Sequence, residues 1–524
     1  MPNMYLLGVD LGTMGTKAAL YDESGHLMSQ SYEESVLRYP KVGWVEQCLE
    51  DIYGSAVRCI SDVLEKSNIP SGNIEAIAFS SQMSGIGMIN KNWEPVAHYD
   101  SWLDTRCESS FPLMAQIGEK ITEYSGCPPT YAHAAKIIWW KNEQPDVFKH
   151  IDKFVVPSTY VAGKMAGLKS DEAYIDLTCL HFSGFSDSYR KQWSNELLDY
   201  FDIPKEKMPR IVAPTDIIGS VTRDVARETG LKEGTPIVAG AGDTAAASIG
   251  AGVVSPGDVF DNAGTASVFS MCLDEFVPDT ENQTVLAAHG VIPGTFYALS
   301  FINGGGLNLR WFRDEFGQIE QQVAKEMEKE VYQLFDEMAS EVQPGSEGTL
   351  FIPHLQGRVL PPDPSFRGQW LGFTWGHTKK HLFRAMLEAV AYEYAYYLQI
   401  EKKMHTTLRF QEVRVVGGGA ASRLWNQIKS DVLNIPYCRI NRSEVGTWGN
   451  AMIAGKAVGI YEDLREIAQS ATEVTERIEP RLEYHEHYKP YVEMYRQILV
   501  DYSERFKHLR DLPLELKNSA IHDI

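Results

Sequence analysis

Disulfide and cysteine–zinc chemistry have little to work with in this chain. Its seven cysteines are an odd number, scattered at Cys48, Cys59, Cys107, Cys127, Cys179, Cys272 and Cys438 with no CxxC pair. This spacing excludes a disulfide framework or a cysteine zinc site and reads as reduced thiols. Long apolar runs are missing too. The first one, Tyr5–Val9, is cut by Asp10, whereas a membrane span needs about 20 apolar residues. The run is also too short for a signal-peptide core, so a soluble cytoplasmic protein is expected. Positive charge is scarce: the formal net charge is -21. That disfavours nucleic acid and anionic lipid as partners. It still permits an anionic cofactor where local donors or a metal receive it.

What is present is enough material for two large domains. The chain has 524 residues, 44% hydrophobic and 23% charged, which is ordinary for a globular protein. Tyr5–Val9 reads as a buried strand, Asp10–Gly15 as a glycine-punctuated turn, and Thr16–Tyr21 as the returning strand. A second hairpin follows the same plan: Asp258–Asp261, a turn at Asn262-Ala263-Gly264-Thr265, and Ala266–Met271. The turns DLGT and NAGT lie about half a chain apart, which suggests an internal duplication and places a boundary near residue 254. Apolar spacing predicts helices over Glu46–Lys66, Lys136–Asn142, Gln321–Ser340, Lys380–Met404 and His487–Phe506, and strands over Ile74–Phe79 and Gly87–Ile89.

Five segments carry candidate chemistry. In the first turn, Gly12, Thr13, Gly15 and Thr16 set small residues and hydroxyls beside backbone N–H groups, a nest suited to phosphate oxygens. Lys17 adds a cation, and Asp10 makes sense there if Mg²⁺ lies between it and the phosphate. An ordinary hairpin turn is the alternative; a Walker A loop is excluded by the missing Gly-Lys-Ser/Thr element. In Pro236–Ala246, an apolar strand ends in Gly240-Ala241-Gly242-Asp243. Asp243 fits either the base that takes a hydroxyl proton or the N-cap of a following helix. The triplet Gly417-Gly418-Gly419 joins a strand to a helix and suits a flat ring or a phosphate against bare backbone, or is a plain strand–helix turn. It lacks the G-x-G-x-x-G spacing of a dinucleotide site. Finally, Ser80–Gly85 and Tyr99–Arg106 combine amides, carboxylates and aromatics. They fit a sugar pocket with Trp102 as wall and Asp104 as hydroxyl acceptor, or a surface Asp104–Arg106 pair beside a core tryptophan.

Taken in order, DLGT…K, WLDTR, GAGDTAA, NAGT and VVGGGAASRLW resemble the FGGY carbohydrate kinases, over about residues 4–500. Lys136–Glu143 is similar to the family's first signature, with His133 where a small residue or proline is usual. Gly368–Phe373 with His381–Glu388 is similar to the second. The resemblance implies an α/β fold of two ribonuclease-H-like domains of the actin-like ATPase superfamily, with an interdomain ATP/sugar cleft. Residues 1–253 would form the N-terminal domain. Residues 254–524 would form the C-terminal one, its last helix packing back on the first. It further implies ATP and Mg²⁺ as cofactors, Asp243 as the base, and Asp10 as the metal-holding acid. Gly12, Thr13, Thr16 and Lys17 would form the first phosphate loop and Gly264 and Thr265 the second. Gly418, Gly419 and Asn426 would hold adenosine. Gln82, Met83, Trp102, Asp104 and Arg106 would join Asp243 around the sugar.

Within the family the sequence is most similar to the xylulokinase branch, which implies D-xylulose as substrate and D-xylulose 5-phosphate as product. Two positions depart from that branch. Ser84 stands where it has histidine, and Pro353–Pro361 lacks the glutamate of its Gly-Glu-Arg element. Other ketoses, polyols, aldonates and an autoinducer-2-type substrate therefore stay open, the last sharing a segment like Arg310–Asp314. A homodimer is the expected assembly. An actin- or Hsp70-like ATPase without a sugar, or a non-catalytic sugar sensor, are the competing classes.

Overall fold

The computed structural model describes residues 4–522. The chain divides into two compact units that interleave along the sequence. Met1–Pro256, Cys272–Ala298 and Arg442–Glu473 make the first; Gly257–Met271, Leu299–Asn441 and Val474–Ile524 make the second. A single boundary near residue 254 thus describes only the first crossing between units. Arg442–Glu473, far down the chain, returns to the first.

The first unit is built on a six-stranded sheet, in the order Ile217–Ser220, Pro236–Gly242, Ile74–Ser81, Tyr5–Leu11, Gly15–Asp22, Leu27–Glu34. The expected opening hairpin is there: Asp10 pairs with Lys17 across it, and Gly12 N–H donates to Gly15 O (3.0 Å) to close the turn. Three strands of this sheet run parallel: Tyr5–Leu11, Ile74–Ser81 and Pro236–Gly242. Their carboxyl ends share one edge, with Asp10 beside Ser80 and Gly242 beside Ser81. In open α/β sheets that edge is where ligands are bound. One face of the sheet is covered by Leu49–Ser67 and Pro157–Ala166. The other is covered by Asp243–Gly250 and Val445–Ala457.

In the second unit the strands Ser267–Leu273, Asp258–Ala263, Glu412–Val416, Tyr437–Ile440 and Val474–Ile478 lie side by side. An antiparallel hairpin flanked by a parallel strand appears again, the same local plan as in the first unit. The helices Lys379–Met404 and Arg423–Leu433 pack on each other and on the final helix, Leu482–His522. Tyr488 OH donates to Glu388 (2.9 Å) and Tyr495 OH to Glu393 (2.8 Å), pinning that final helix inside its own unit. The helix from the C-terminal part of the chain that belongs to the first unit is Val445–Ala457.

The single helix expected over Gln321–Ser340 is two, Gln318–Glu326 and Val331–Ser340. Lys329 N–H reaches back to Ala324 O (2.9 Å), with Glu328 left-handed at φ 51°. This is a Schellman-type stop, built without the glycine that would announce it.

A buried ion pair ties the second unit together. Lys429 Nζ lies 2.6 Å from Asp261 Oδ2, with both side chains fully buried. Tyr394 OH donates to the other carboxylate oxygen at 2.8 Å. Lys429→Met leaves that carboxylate uncompensated and is expected to cost about 3–5 kcal/mol. Removing the exposed Lys507–Glu504 pair is expected to cost under about 1 kcal/mol. Urea unfolding of the two variants checks the contrast.

Candidate active site

At the shared edge of the first unit's parallel strands, Asp10 accepts a hydrogen bond from Ser80 Oγ at 2.7 Å. Asn450, from the Val445–Ala457 helix, donates to Ser80 Oγ (2.7 Å) and to Val9 O (2.8 Å). The chain Asn450–Ser80–Asp10 therefore fixes the Asp10 carboxylate from behind. Burial raises the pKa of Asp10, partly offset by the Ser80 bond and by Lys17.

Asp243 is the first residue of the Asp243–Gly250 helix; the N-cap is Gly242, which offers no side chain. Asp243 is therefore not the helix cap. Thr244 N–H (2.6 Å) and Oγ1 (3.2 Å) both donate to its Oδ1, and Oδ2 has no partner among the described residues. Burial, with the Asp10 carboxylate adding to it, pushes the Asp243 pKa up to about 7. The strand end that presents it is held by Gly242 N–H on Thr178 Oγ1 (2.8 Å). Gly240 is required there, since at φ 77° a Cβ would lie 1.8 Å from Phe79 O.

The first turn opens onto a hollow of about 440 Å³ lined by Asp10, Gly12, Met14, Gly15, Lys17 and Tyr32. Thr16 does not face it: its hydroxyl is buried against Ser55 Oγ at 2.7 Å. Strand alternation turns it inward, so its side chain is not placed for the phosphate role expected of it. Lys17 Nζ pairs with Glu444 at 2.8 Å and stays half-exposed.

Thr13 links the turn to the sugar-side motifs. Trp102 Nε1 donates to Thr13 Oγ1 (2.7 Å), Thr13 Oγ1 to Gln82 Oε1 (3.3 Å), and Gln82 Nε2 to Gln47 (2.6 Å). Met83 lies over Gly242, where its Sδ would be 2.7 Å from a Cβ. Asp104 and Arg106 are used otherwise than as sugar ligands. Arg106 donates to Asp104 through Nε (3.0 Å) and Nη2 (2.7 Å) and to Glu46 (2.7 Å), and its guanidinium lies 3.7 Å from the Trp44 ring centre. Asp104 also accepts from Val45 N–H at 2.7 Å. Asp104 is fully engaged by Arg106 and the Val45 N–H, Arg106 keeps only Nη1 without a hydrogen bond, and both brace the loop that carries Trp102.

The second unit has its own cavity, about 520 Å³, whose lining includes Gly264, Thr265, Gly418, Gly419, Tyr332 and Asp336. The turn is seated on a helix start by Gly306 N–H on Gly264 O (3.0 Å) and Leu307 N–H on Thr265 O (2.9 Å). Asn426 is not in the lining. It is fully buried and donates to Ala420 O at 2.9 Å, so it holds the glycine loop from behind. Asp336, which local spacing did not single out, sits in this cavity with its pKa pushed up to about 6 by burial.

Asn450, Glu444 and Asp336 are the site residues that sequence reasoning missed; Ser80, placed in the sugar-side segment, instead holds Asp10. Asn450 lies 370 residues from the serine it holds, and no local motif announces such a contact.

Both carboxylates at the strand edge are raised. Each therefore contributes stability that is present below its unfolded pKa, about 4, and is lost as pH rises through the folded value, which is about 7 for Asp243. Asp243→Asn keeps the neutral shape. It is expected to melt higher than the unmodified chain at pH 8, with the difference shrinking toward pH 5. Melting temperatures across that range check the sign; a constant difference contradicts it.

Among the described residues no helix is long and apolar enough to cross a membrane. Comparison with known proteins gives the family. Residues 5–250 match the N-terminal domain of the FGGY family of carbohydrate kinases, and residues 262–458 match its C-terminal domain. A xylulose kinase of Bacillus subtilis is 27% identical over 98% of this chain and 99% of its own. An autoinducer-2 kinase of Enterobacter sp. is 28% identical over 95% of this chain and 94% of its own. The crystal structure of a gluconate kinase from Lactobacillus acidophilus superposes with a TM-score of 0.85 at 23% identity, covering 97% of this chain and 100% of that one. With both domains matched across most of its length, the chain belongs to the FGGY family of carbohydrate kinases and is an ATP-dependent sugar kinase.

Proposed function

We propose that Asp243 is the general base of this kinase, taking the proton of the sugar hydroxyl as it attacks the γ-phosphorus of ATP. One observation carries the reading: a carboxylate at a parallel-strand end, its Oδ2 open, with a pKa near 7. A base works best when its pKa lies near the operating pH, and phosphoryl transfer asks little else of a protein than positioning and charge compensation.

Asp10, held by Ser80 and Asn450, is the proposed acid toward Mg²⁺. The donor set fits this ion. Asp10 puts one carboxylate in the hollow at the first turn, and Mg²⁺ is commonly held by one or two carboxylates together with substrate phosphates. When bound, the ion would supply positive charge to the transferring phosphoryl oxygens. Gly12 and Thr13 are the proposed phosphate contacts of the first unit, and Gly264, Thr265, Gly418 and Gly419 those of the nucleotide in the second.

D-xylulose is the first proposed substrate, on the full-length similarity to a xylulose kinase. Similarity to an autoinducer-2 kinase at nearly the same identity, and Ser84 in place of the branch's histidine, make another ketose, a polyol, an aldonate or an autoinducer-2-type substrate the second reading. An assembly ATPase or an inert sensor has no support in the family assignment.

Asp243→Asn is expected to lower turnover by at least ~100-fold while leaving ATP binding close to that of the unmodified chain. The unmodified enzyme should lose kcat/KM as pH falls below about 7, because protonation removes the base. Turnover within a few-fold of the unmodified enzyme, or no acidic limb, would exclude Asp243 from this role. For the substrate, coupled ADP release is measured with D-xylulose, gluconate, glycerol and an autoinducer-2 precursor. D-xylulose should lead by at least ~10-fold in kcat/KM; parity with glycerol removes it.

A further inference from the structure

The second unit holds another hollow that the kinase chemistry does not use. Its volume is about 410 Å³, and Arg384, Arg423 and Arg481 line it together with Gln343, Gln427 and Tyr484. No aspartate or glutamate is in its wall. In a chain with a net charge of -21, three guanidiniums around one carboxylate-free hollow is a concentrated exception.

The acidic partners lie behind the arginines and grip them by one edge. Glu388 takes Nε of Arg384 at 2.8 Å. Asp431 takes Nε (3.1 Å) and Nη2 (2.6 Å) of Arg481. Glu476 takes Nε of Arg423 at 3.1 Å. Among the described residues this leaves both Nη groups of Arg423 and Nη1 of Arg481 without a protein acceptor. Arg481 is also fixed in its plane by Tyr484, 3.9 Å from the ring centre. Arg384 is nearly buried and is further tied to Ala339 O and Tyr488 OH, both at 3.1 Å. Guanidiniums held in place with N–H groups still free suit the oxygens of a phosphoryl group.

We propose that this hollow binds a small phosphate-bearing anion as a regulatory ligand, at a site separate from the catalytic phosphate turns. Its walls supply a route for regulation. Three helices line both this hollow and the 520 Å³ cavity described above. Val331–Ser340 gives Ser340 to one and Asp336 to the other. Lys379–Met404 gives Arg384 to one and Phe383 to the other. Arg423–Leu433 gives Gln427 to one and Trp425 to the other. An anion drawing the arginines together moves helices that shape the proposed nucleotide cavity.

The test is isothermal titration of the full chain, saturated with ADP, first with inorganic phosphate and then with methyl phosphate. The tighter of the two shows whether free phosphate or a phosphate ester is the natural class. One site is expected, weakened about tenfold or more by Arg423→Gln and by Arg481→Gln, the scale of losing a charged hydrogen bond, and unchanged by Lys17→Gln. Circular dichroism melts confirm that the variants fold; Arg423 is largely exposed and is the safer of the two. Absence of binding by either ligand overturns the proposal and leaves the arginines as paired scaffold. Binding that survives Arg423→Gln but disappears in Lys17→Gln also overturns it, because the anion then sits at the first turn.

Discussion

The close seating of the Val445–Ala457 helix on the opening strand is the constraint from which the carboxylate corner follows. A Cβ at Gly8 would lie 1.9 Å from Thr447 O, one at Gly449 1.9 Å from Ala246 O, and one at Gly250 1.9 Å from Val445 O. Bare backbone at these three positions lets the helix, the strand and the Asp243–Gly250 helix approach to contact distance. Only at that distance does Asn450 reach Ser80 and Val9. The orientation of Asp10 therefore depends on side chains that are absent two residues before it, at Gly8, and 240 and 439 residues after it, at Gly250 and Gly449.

The same approach excludes water, and its electrostatic cost appears in the raised pKa values of Asp10 and Asp243. Lys17 does not balance them freely, because Glu444 already pairs with it. Phosphate oxygens brought to this corner under the proposed chemistry meet three carboxylates and one lysine. A divalent cation is what makes such an approach favourable, since opposite charge close by restores the ionised carboxylates. The acidity that argues against nucleic acid for the whole chain is, at this one edge, a reason to expect a metal–nucleotide complex.

Both hairpins, the strand into Asp243 and the strand–glycine–helix segment were legible in the sequence. Each is a local pattern of apolar runs broken by glycine, and backbone geometry follows from it directly. What was not legible is which neighbour uses a given polar group. Thr16 looks like a loop hydroxyl until Ser55 is beside it. Asn426 looks like a ligand contact until it is found bonded to Ala420 O. Asp104 and Arg106 read equally as half of a pocket or as an ion pair, and they are an ion pair, buried beside Trp44 rather than on the surface. The helix stop at Glu328 had no glycine to mark it. Residue type sets what a side chain can do, while long-range packing decides whether its donors and acceptors are still free.

That distinction also relocates the question of which sugar is bound. Asp104 is fully engaged by Arg106 and Val45, whereas Arg106 Nη1 and other buried polar groups of the first unit have no hydrogen-bond partner among the described residues. The Tyr99 hydroxyl is buried without a partner among the described residues, and the Asp243 carboxylate bears on it. Both ring nitrogens of His181 are likewise unpaired, and burial lowers its pKa to about 3, so the imidazole is neutral at ordinary pH. His133 lies behind Met83, with Nε2 3.4 Å from Met83 O. The histidine missing at position 84 is thus accompanied by an imidazole from the neighbouring helix, behind the same loop. A buried donor or acceptor left unpaired is costly, about 1–3 kcal/mol, so a sugar that pairs with such groups is favoured over one that cannot. Selectivity that works through buried unmet groups therefore has Tyr99 and His181, rather than the fully engaged Asp104, to work with.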